Sequence, residues 1–311
     1  MKKIFVSALT VLLLIGAITV LNSCSCGSEL IDGAFWSLNP DGESYRLDQL
    51  DKEYSKTSYV VPETINGKPV TVIGYGAFSP YFPHLESVTL PSTITKIERI
   101  AFSDCTGLKS VNIPKGVTEI GDAAFQNCQS LVSIVIPNSV TSIGTATFKD
   151  CKSLTSVTLP NSVTSIGTAV FKNCSSLTSV TLPDKLGKIP ESTFYGCQSL
   201  TSVNIPNRVT VIEKLAFCGC SALETINIPN SVSTIGGFVF DGIDAVKTLS
   251  IPASVTSLEG APHIMGKRLE KIKYSGTMGQ WYQITGTSNP INYPVHCFDG
   301  IIKKEETKPS K

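Results

Sequence analysis

The phrase "SLTSVTLP" occurs twice between Cys151 and Pro183, 23 residues apart, and the same step governs most of the chain. Phenylalanine recurs at 102, 125, 148, 171, 194, 217 and 240, proline at 91, 114, 137, 160, 183, 206, 229 and 252, and cysteine at 105, 128, 151, 174, 197 and 220. Phe78 stands one residue further back, an offset produced by an insertion in "SPYFPH". Three registers in phase, at a period within the range of roughly 20–50 residues, mark a stacked array of small structural units. The unit reads L-x-x-V-x-[LI]-P-x-x-V-x-x-I-G-x-x-A-F-x-x-C-x-x, and about eight copies lie between Glu63 and Leu258. The expected fold is therefore a repeat solenoid of 23-residue coils with a parallel sheet along one side and short 3₁₀ or helical turns elsewhere.

Each position of the unit has a mechanical reason. Val180 and Leu182 alternate with Ser179 and Thr181, the period of a strand with one face buried and one exposed. Pro183 ends the strand because it cannot donate to a ladder. Val163 and Ile166 are three apart, so the chain turns between them, and Gly167 supplies either room or an unusual φ. Ala169 and Phe171 are expected inside, with Phe171 and Cys174 spaced as on a short helical turn. One coil cannot offset the conformational entropy of ordering its residues. Stability has to come from neighbours that share apolar faces and hydrogen bonds, with like residues stacked about 4.8 Å apart.

An array also needs ends. Upstream, "GAFWSLNPDGESYRLDQL" alternates around an Asn-Pro-Asp-Gly turn like a β-hairpin. Downstream, "LEKIKYSGTMGQWYQITG" reads as a strand and a short helix carrying Trp281, and "VHCFDGII" as a closing strand. The expected organisation is a signal segment over 1–23, a linker and hairpin cap over 24–62, the solenoid over 63–270, a strand-helix-strand cap over 271–302 and a charged tail over 303–311.

The first residues, "MKKIFVSALTVLLLIGAITVLNSCSCGSEL", place two lysines before an apolar stretch from Ile4 to Leu21, the layout of a secretory signal. Leu21-Asn22-Ser23-Cys24 resembles the lipobox of bacterial lipoproteins, which implies lipidation of Cys24 as the first mature residue, although Asn22 departs from the usual small residue. Ser25 after it implies sorting to the outer membrane, with the outward or inward orientation open. The alternative is an uncleaved anchor, since the 18 residues from Ile4 to Leu21 fall within transmembrane range. The formal charge of +1 becomes −1 without residues 1–23, because 24 basic residues then face 25 acidic ones. Such a balance does not point to nucleic acid.

The unit "LTSVTLPNSVTSIGTAVFKNC" closely resembles the BspA-like leucine-rich repeats of bacterial surface proteins, and "INGKPVTVIGYGAF", "YSGTMGQW" and "CFDGII" look like the flanking segments that accompany them. The resemblance spans roughly residues 30–302. It implies a right-handed leucine-rich-repeat solenoid and, for some members, adhesion to host matrix proteins or to other bacteria.

Signs of chemistry are few. The six in-phase cysteines are expected as a ladder of free buried thiols, with disulfides between adjacent coils as the alternative in an exported protein, and Cys218, off register, is the one expected to pair or react. His84, His263 and His296 have no second histidine at ligand spacing, His296-Cys297 fits a strand better than a zinc site, and Asp41, Glu43, Asp48 and Asp51 lack the spacing of a calcium loop. No metal or cofactor is expected. "IGYGAF" holds two glycines of a dinucleotide fingerprint, but both belong to the repeat. Glu98, Asp122, Asp150 and Glu191 are scattered over turns, with no pair set for acid–base work.

What remains is the outward side of the sheet. Its positions are Ser87/Thr89, Ser110/Asn112, Ser133/Val135, Ser156/Thr158, Ser179/Thr181, Ser202/Asn204, Thr225/Asn227 and Thr248/Ser250, an uncharged ladder of hydroxyls and amides apart from one valine. Two readings stand: simple solvation, with Ser and Thr bonding each other across strands, or a platform for a protein or glycan partner. Tyr81, Phe82 and Tyr195 are the candidate anchor residues. The chain is expected to be a non-catalytic envelope lipoprotein that presents this surface to a host or bacterial surface protein, the alternative being a structural or glycan-binding accessory component.

Overall fold

In the computed structural model the described residues are 27–80, 82–259, 266–285 and 293–303. Each coil has three sides. The first carries the V-x-[LI] segment as parallel strands, among them Ser156–Thr158 and Ser179–Thr181, with Val157 opposite Val180, and Ser202–Asn204 and Thr225–Asn227, with Val203 opposite Ile226. Around Ser133 the pairing thins to a single bridge with Ser156. On the second side run two-residue strands, Glu119–Ile120, Ser142–Ile143 and Ser165–Ile166, again parallel and in strict register. Turns bearing Phe and Cys make up the third.

Hydrogen bonds on the third side run in the opposite sense. On the second side the later coil donates at the ends of the paired strands, as in Thr118 N to Thr95 O (3.0 Å) and Gly121 N to Ile97 O (2.9 Å). On the turn side the earlier coil donates: Ile100 N to Asp122 O, Phe102 N to Ala124 O and Asp104 N to Gln126 O, at 2.7–2.8 Å. Bonds of 3₁₀ type, three residues back, close each turn, such as Cys128 N to Phe125 O at 3.3 Å. Left-handed residues between them stop a helix from forming. Two occur per coil, at Ile100 and Asp104, Ala123 and Asn127, Ala146 and Asp150, and Ala169 and Asn173.

This backbone reassigns two positions of the unit. Gly167 is needed for room and not for φ: a Cβ there would lie 2.4 Å from Thr145 N, and Gly121, Gly144 and Gly236 meet neighbouring backbone equally closely. Ala169 is the residue with positive φ (55°), and it is only partly covered; its neighbour Val170 is the buried one.

Inside the coils, Phe78, Phe102, Phe125, Phe148, Phe171, Phe194 and Phe217 form one stack, with ring centroids 4.7–5.8 Å apart and planes within 10°. Offset parallel rings at this separation attract beyond their area burial. Beside them the six cysteines are free and buried. Each thiol donates to the phenylalanine carbonyl of the preceding coil, from Cys128 Sγ to Phe102 O (3.1 Å) through Cys220 Sγ to Phe194 O (3.2 Å). That carbonyl already accepts from its own turn, so the thiol fills its second acceptor site.

Phe82 belongs to this register. Leu85 lies 23 residues before Leu108, so Phe82 stands where the next coil has Cys105, and it is fully buried. An exposed anchor at Phe82 is thereby excluded; the insertion before it had hidden the register. At the other end Ile243, also fully buried, takes the same place after Cys220.

The stack runs to about ten turns and extends past both limits of the repeat. Ser58–Val60 pairs with Ser87–Thr89, while Lys271–Tyr274 pairs with Thr248–Ile251 and then with Val295–Cys297. These outer coils lack the Cys of the unit, and the C-terminal one its Pro as well, whereas Pro62 keeps the Pro position at the N-terminal end, 29 residues before Pro91 and so out of the 23-residue phase. The N-terminal hairpin pairs Ala34–Leu38 with Tyr45–Leu50, and buried Trp36 donates Nε1–H to Ile31 O (3.1 Å). At the far end the helix Met278–Thr285 starts at a reciprocal cap: Gln280 N donates to Thr277 Oγ1 and Thr277 N to Gln280 Oε1. It buries Trp281 against Tyr274, centroids 5.2 Å apart. The expected single closing strand is two, Val295–Cys297 and Gly300–Ile302, because the chain reverses where Asp299 accepts from Met278 N.

Two outcomes follow from the packing. Phe171→Ala opens a cavity in mid-stack and should cost about 3–5 kcal/mol in denaturant unfolding, whereas an unchanged midpoint would show that the stack does not carry the core. Burial pushes the thiols of Cys105 and Cys151 up to about 12, and those of Cys128, Cys174, Cys197 and Cys220 upward as well. Since the thiolate is the reactive form, a thiol reagent at pH near 8 should leave these six untouched in the native protein and modify them all in denaturant; equal counts in both states would contradict the buried free ladder.

Candidate functional site

The strand face is built by simple alternation. Val157, Val180, Val203 and Ile226 point inward and are buried, so Ser156, Thr158, Ser179, Thr181, Ser202, Asn204, Thr225 and Asn227 point outward and are exposed. Ser110 and Ser133 are exposed in the same way, and Val135, 80% exposed, is the apolar exception.

The hydroxyls do not bond to one another across strands. Among the described residues, no hydrogen bond involves the side chains of Ser156, Thr158, Ser179, Thr181, Ser202, Asn204, Thr225 or Asn227, although each has a counterpart one coil away. Hydroxyl-to-carbonyl bonds between coils are made one residue earlier, by Thr155 to Val132 O (3.3 Å) and Thr178 to Thr155 O (3.1 Å). Those threonines serve the stack and leave the face free. Asn112 is different: its amide donates to Leu90 O and accepts from Leu90 N, both at 2.9 Å, so it replaces a rung of the ladder and is not available to a ligand. A further row missed from sequence lies just past the strands, where Asn207 and Asn230 join Asn204 and Asn227 around a shallow depression. The Ile-Pro-Asn repetition was its visible signal.

The remaining anchors do not gather on this face. Tyr195 is on the turn side, half-buried, with Lys172 Nζ 4.7 Å from its ring centre. Tyr81 lies outside the described residues, as do Cys24, the lipobox and His263.

Carboxylates that could suggest chemistry are tied to neighbouring coils. Glu98 accepts from Tyr75 N (3.1 Å), Asp122 from Thr145 N (2.6 Å) and Asp150 from Asn173 Nδ2 (2.9 Å), while Glu191 pairs with Lys214 (3.3 Å). For Glu213, partial burial opposes the charge, but hydrogen bonds from Lys188 and Glu191 N outweigh it and hold the carboxyl below its usual range. Glu98 and Asp122 line a cleft beside Gly121 and Gly144, with Lys96 and Glu119 3.7 Å apart. In the hairpin, Asp41 is held low by hydrogen bonds from Glu43 N and Ser44, Asp48 accepts from Arg46, and Asp51 accepts from Glu53 N. His84 is spent on Tyr54 O (3.0 Å), and His296 and Cys297 lie in a strand. Cys218 is free and partly exposed, its thiol raised by burial and by Asp241. Among the described residues no three His, Cys, Asp or Glu side chains gather as a metal site, and no helix is long and apolar enough to cross a membrane.

The comparisons agree with this geometry. The family model for the BspA type leucine-rich repeat region matches residues 71–198 and 187–281 in six copies. A leucine-rich repeat protein of Bacteroides ovatus is 28% identical, over 79% of this chain and 70% of that one, with a TM-score of 0.72. The leucine-rich repeat protein of T. pallidum is 30% identical, over 69% of this chain and 88% of that one, with a TM-score of 0.51. No curated protein matches the chain. With its coil model matched over more than half the sequence, the chain belongs to the BspA-type leucine-rich repeat family.

Proposed function

We propose that this is a non-catalytic cell-envelope lipoprotein, anchored through Cys24, that binds a host or bacterial surface protein with its outward strand face. The observation that carries this reading is the set of unpaired groups on that face. Ser156, Thr158, Ser179, Thr181, Ser202, Asn204, Thr225 and Asn227 hold their donors and acceptors at the fixed spacing of the stack, while adjacent threonines bond the coils together. A rigid row of this kind loses little entropy when a partner docks. Charged groups that could perform acid–base chemistry are instead spent on backbone N–H groups and ion pairs.

Protein is favoured over glycan because none of the outward strand positions named here is aromatic, and sugar binding leans on ring platforms. The cluster of Asn204, Asn207, Asn227 and Asn230 is the one feature that favours the glycan alternative, since amides offer donors and acceptors together. The envelope assignment rests on the apolar stretch Ile4–Leu21 followed by Cys24.

Placing two arginines on the face, Thr158→Arg with Thr181→Arg, should weaken capture of a purified host matrix or bacterial surface protein by at least about tenfold without moving the melting temperature. A panel of such proteins beside a glycan array reads this directly; unaltered protein capture by the variant, or capture of glycans alone, would defeat the reading. For the anchor, Cys24→Ala should release the protein from membranes. Continued membrane partition would instead assign the anchor to Ile4–Leu21.

A further inference from the structure

We propose that the C-terminal end of the strand face is the docking place of an extended acidic segment of the protein partner. This rests on the reading of the face as a binding surface and narrows it to one end and one chemistry. The outward positions from Ser87 to Ser250 are all uncharged. On the next strand the character changes: Thr248 lies opposite Lys271, and Ser250 opposite Lys273. One rung further Lys273 lies opposite His296, and His296 opposite Ile301. Alternation turns these groups outward, since Ile272, Tyr274 and Ile302 are buried while Ile301 is 54% exposed and Lys303 is exposed.

What sets Lys271 and Lys273 apart is their place on the outward strand face, where every earlier position is uncharged, together with the lack of an acid beside them. Lys96, Lys109, Lys188, Lys214 and Lys267 each have a carboxylate partner. Among the described residues, Lys271, Lys273 and Lys303 have none. Among the described residues, the neighbouring acids do not pair with them: Glu270 is exposed, its backbone N–H bonded to Lys247 O, and Asp299 accepts from Met278 N (2.7 Å).

Geometry then selects the occupant. Residues two apart on a strand sit about 6.6 Å from each other, so Lys271 and Lys273 match carboxylates at alternate positions of an extended chain. Beyond His296, two rungs and about 9.6 Å away, lies Ile301, and the turn joining those two outer strands offers Phe298, 86% exposed. Apolar groups near unpaired cations fit a protein segment that carries acids and a hydrophobic side chain. A polyanionic polysaccharide would use the lysines but leave Ile301 without a counterpart.

The test uses the full chain in detergent with a fluorescent 12-residue peptide of alternating Asp and Val, a block peptide of the same composition, and dextran sulfate. The alternating peptide should bind more tightly than the other two probes, and Lys271→Ser with Lys273→Ser should weaken it at least about tenfold while leaving the melting temperature unchanged. Raising the salt from about 0.05 to 0.5 M should weaken it similarly. Equal binding by the double variant, equal binding of the block peptide, or preference for dextran sulfate would each overturn the assignment. Capture of the surface protein, measured on the unmutated chain, separates the two readings: if it occurs while the alternating peptide fails to bind that same chain, only the C-terminal assignment falls.

Discussion

Everything in this chain answers to one requirement: each coil must bond its backbone to the coil before and after it on all three sides. That requirement fixes the 23-residue step of the regular coils, whose strands pair in strict register, while the longer first coil, with Ser58 opposite Ser87, holds its extra residues between the paired segments. It also explains residues that look incidental. Gly167 is bare because the neighbouring backbone occupies the place of a Cβ. Asp104, Asn127, Asp150 and Asn173, then Gly196, Gly219 and Gly242, precede the cysteine register because the turn needs a left-handed residue there. The thiols follow as the smallest apolar groups that can still donate to a phenylalanine carbonyl. Where no thiol is present the position is filled by Phe82 or Ile243, which shows that bulk is its first duty and hydrogen bonding its second.

Stacking of this kind makes stability a matter of neighbours, and so the ends are built differently from the middle. The chain has two tryptophans, and each closes one end of the core: Trp36 in the N-terminal hairpin and Trp281 on the helix. Trp36 satisfies its indole N–H on Ile31 O, while that of Trp281 is without a partner among the described residues. A buried donor left unpaired costs free energy, so the C-terminal closure is the weaker of the two by this measure. The cap of Thr277 and Gln280 and the contact of Asp299 with Met278 N act on the same helix and hold it in place.

The fold was legible because the phase of Phe, Pro and Cys is a direct imprint of stacking. The alternation in "SLTSVTLP" likewise told which side chains face out. Less could be read where one residue type serves two ends. Alanine at 123, 146 and 169 adopts a left-handed conformation that its composition does not announce, whereas the Asp, Asn and Gly ahead of the cysteines do announce theirs. Phe82 misled because an insertion shifted the visible Phe register while the Leu register continued unbroken. The strands of the C-terminal cap were legible, but not that they continue the stack as coils, because end coils have one neighbour and a different filling. Which hydroxyls are free was beyond sequence: Thr155 and Ser156 are adjacent and chemically alike, and only the coil geometry sends one to Val132 O and the other to solvent.

The same economy separates stacking from recognition along the strand face. Inward residues and the threonines just ahead of the strands maintain the stack, so outward residues can vary without loss of the coil. Most of that freedom is used for small uncharged groups, which keep a parallel sheet face soluble while leaving it poor in features that repel a partner. On the proposed reading of this face as a binding surface, specificity comes from the places where the monotony breaks: Val135 near the thinned pairing, the asparagines at 204, 207, 227 and 230, and the lysines at 271 and 273. A partner that reads several of these at once has to lie along the solenoid axis, since each occupies a different set of coils. The rigid spacing of the stack then acts as the ruler, and contact area grows with every coil the partner spans.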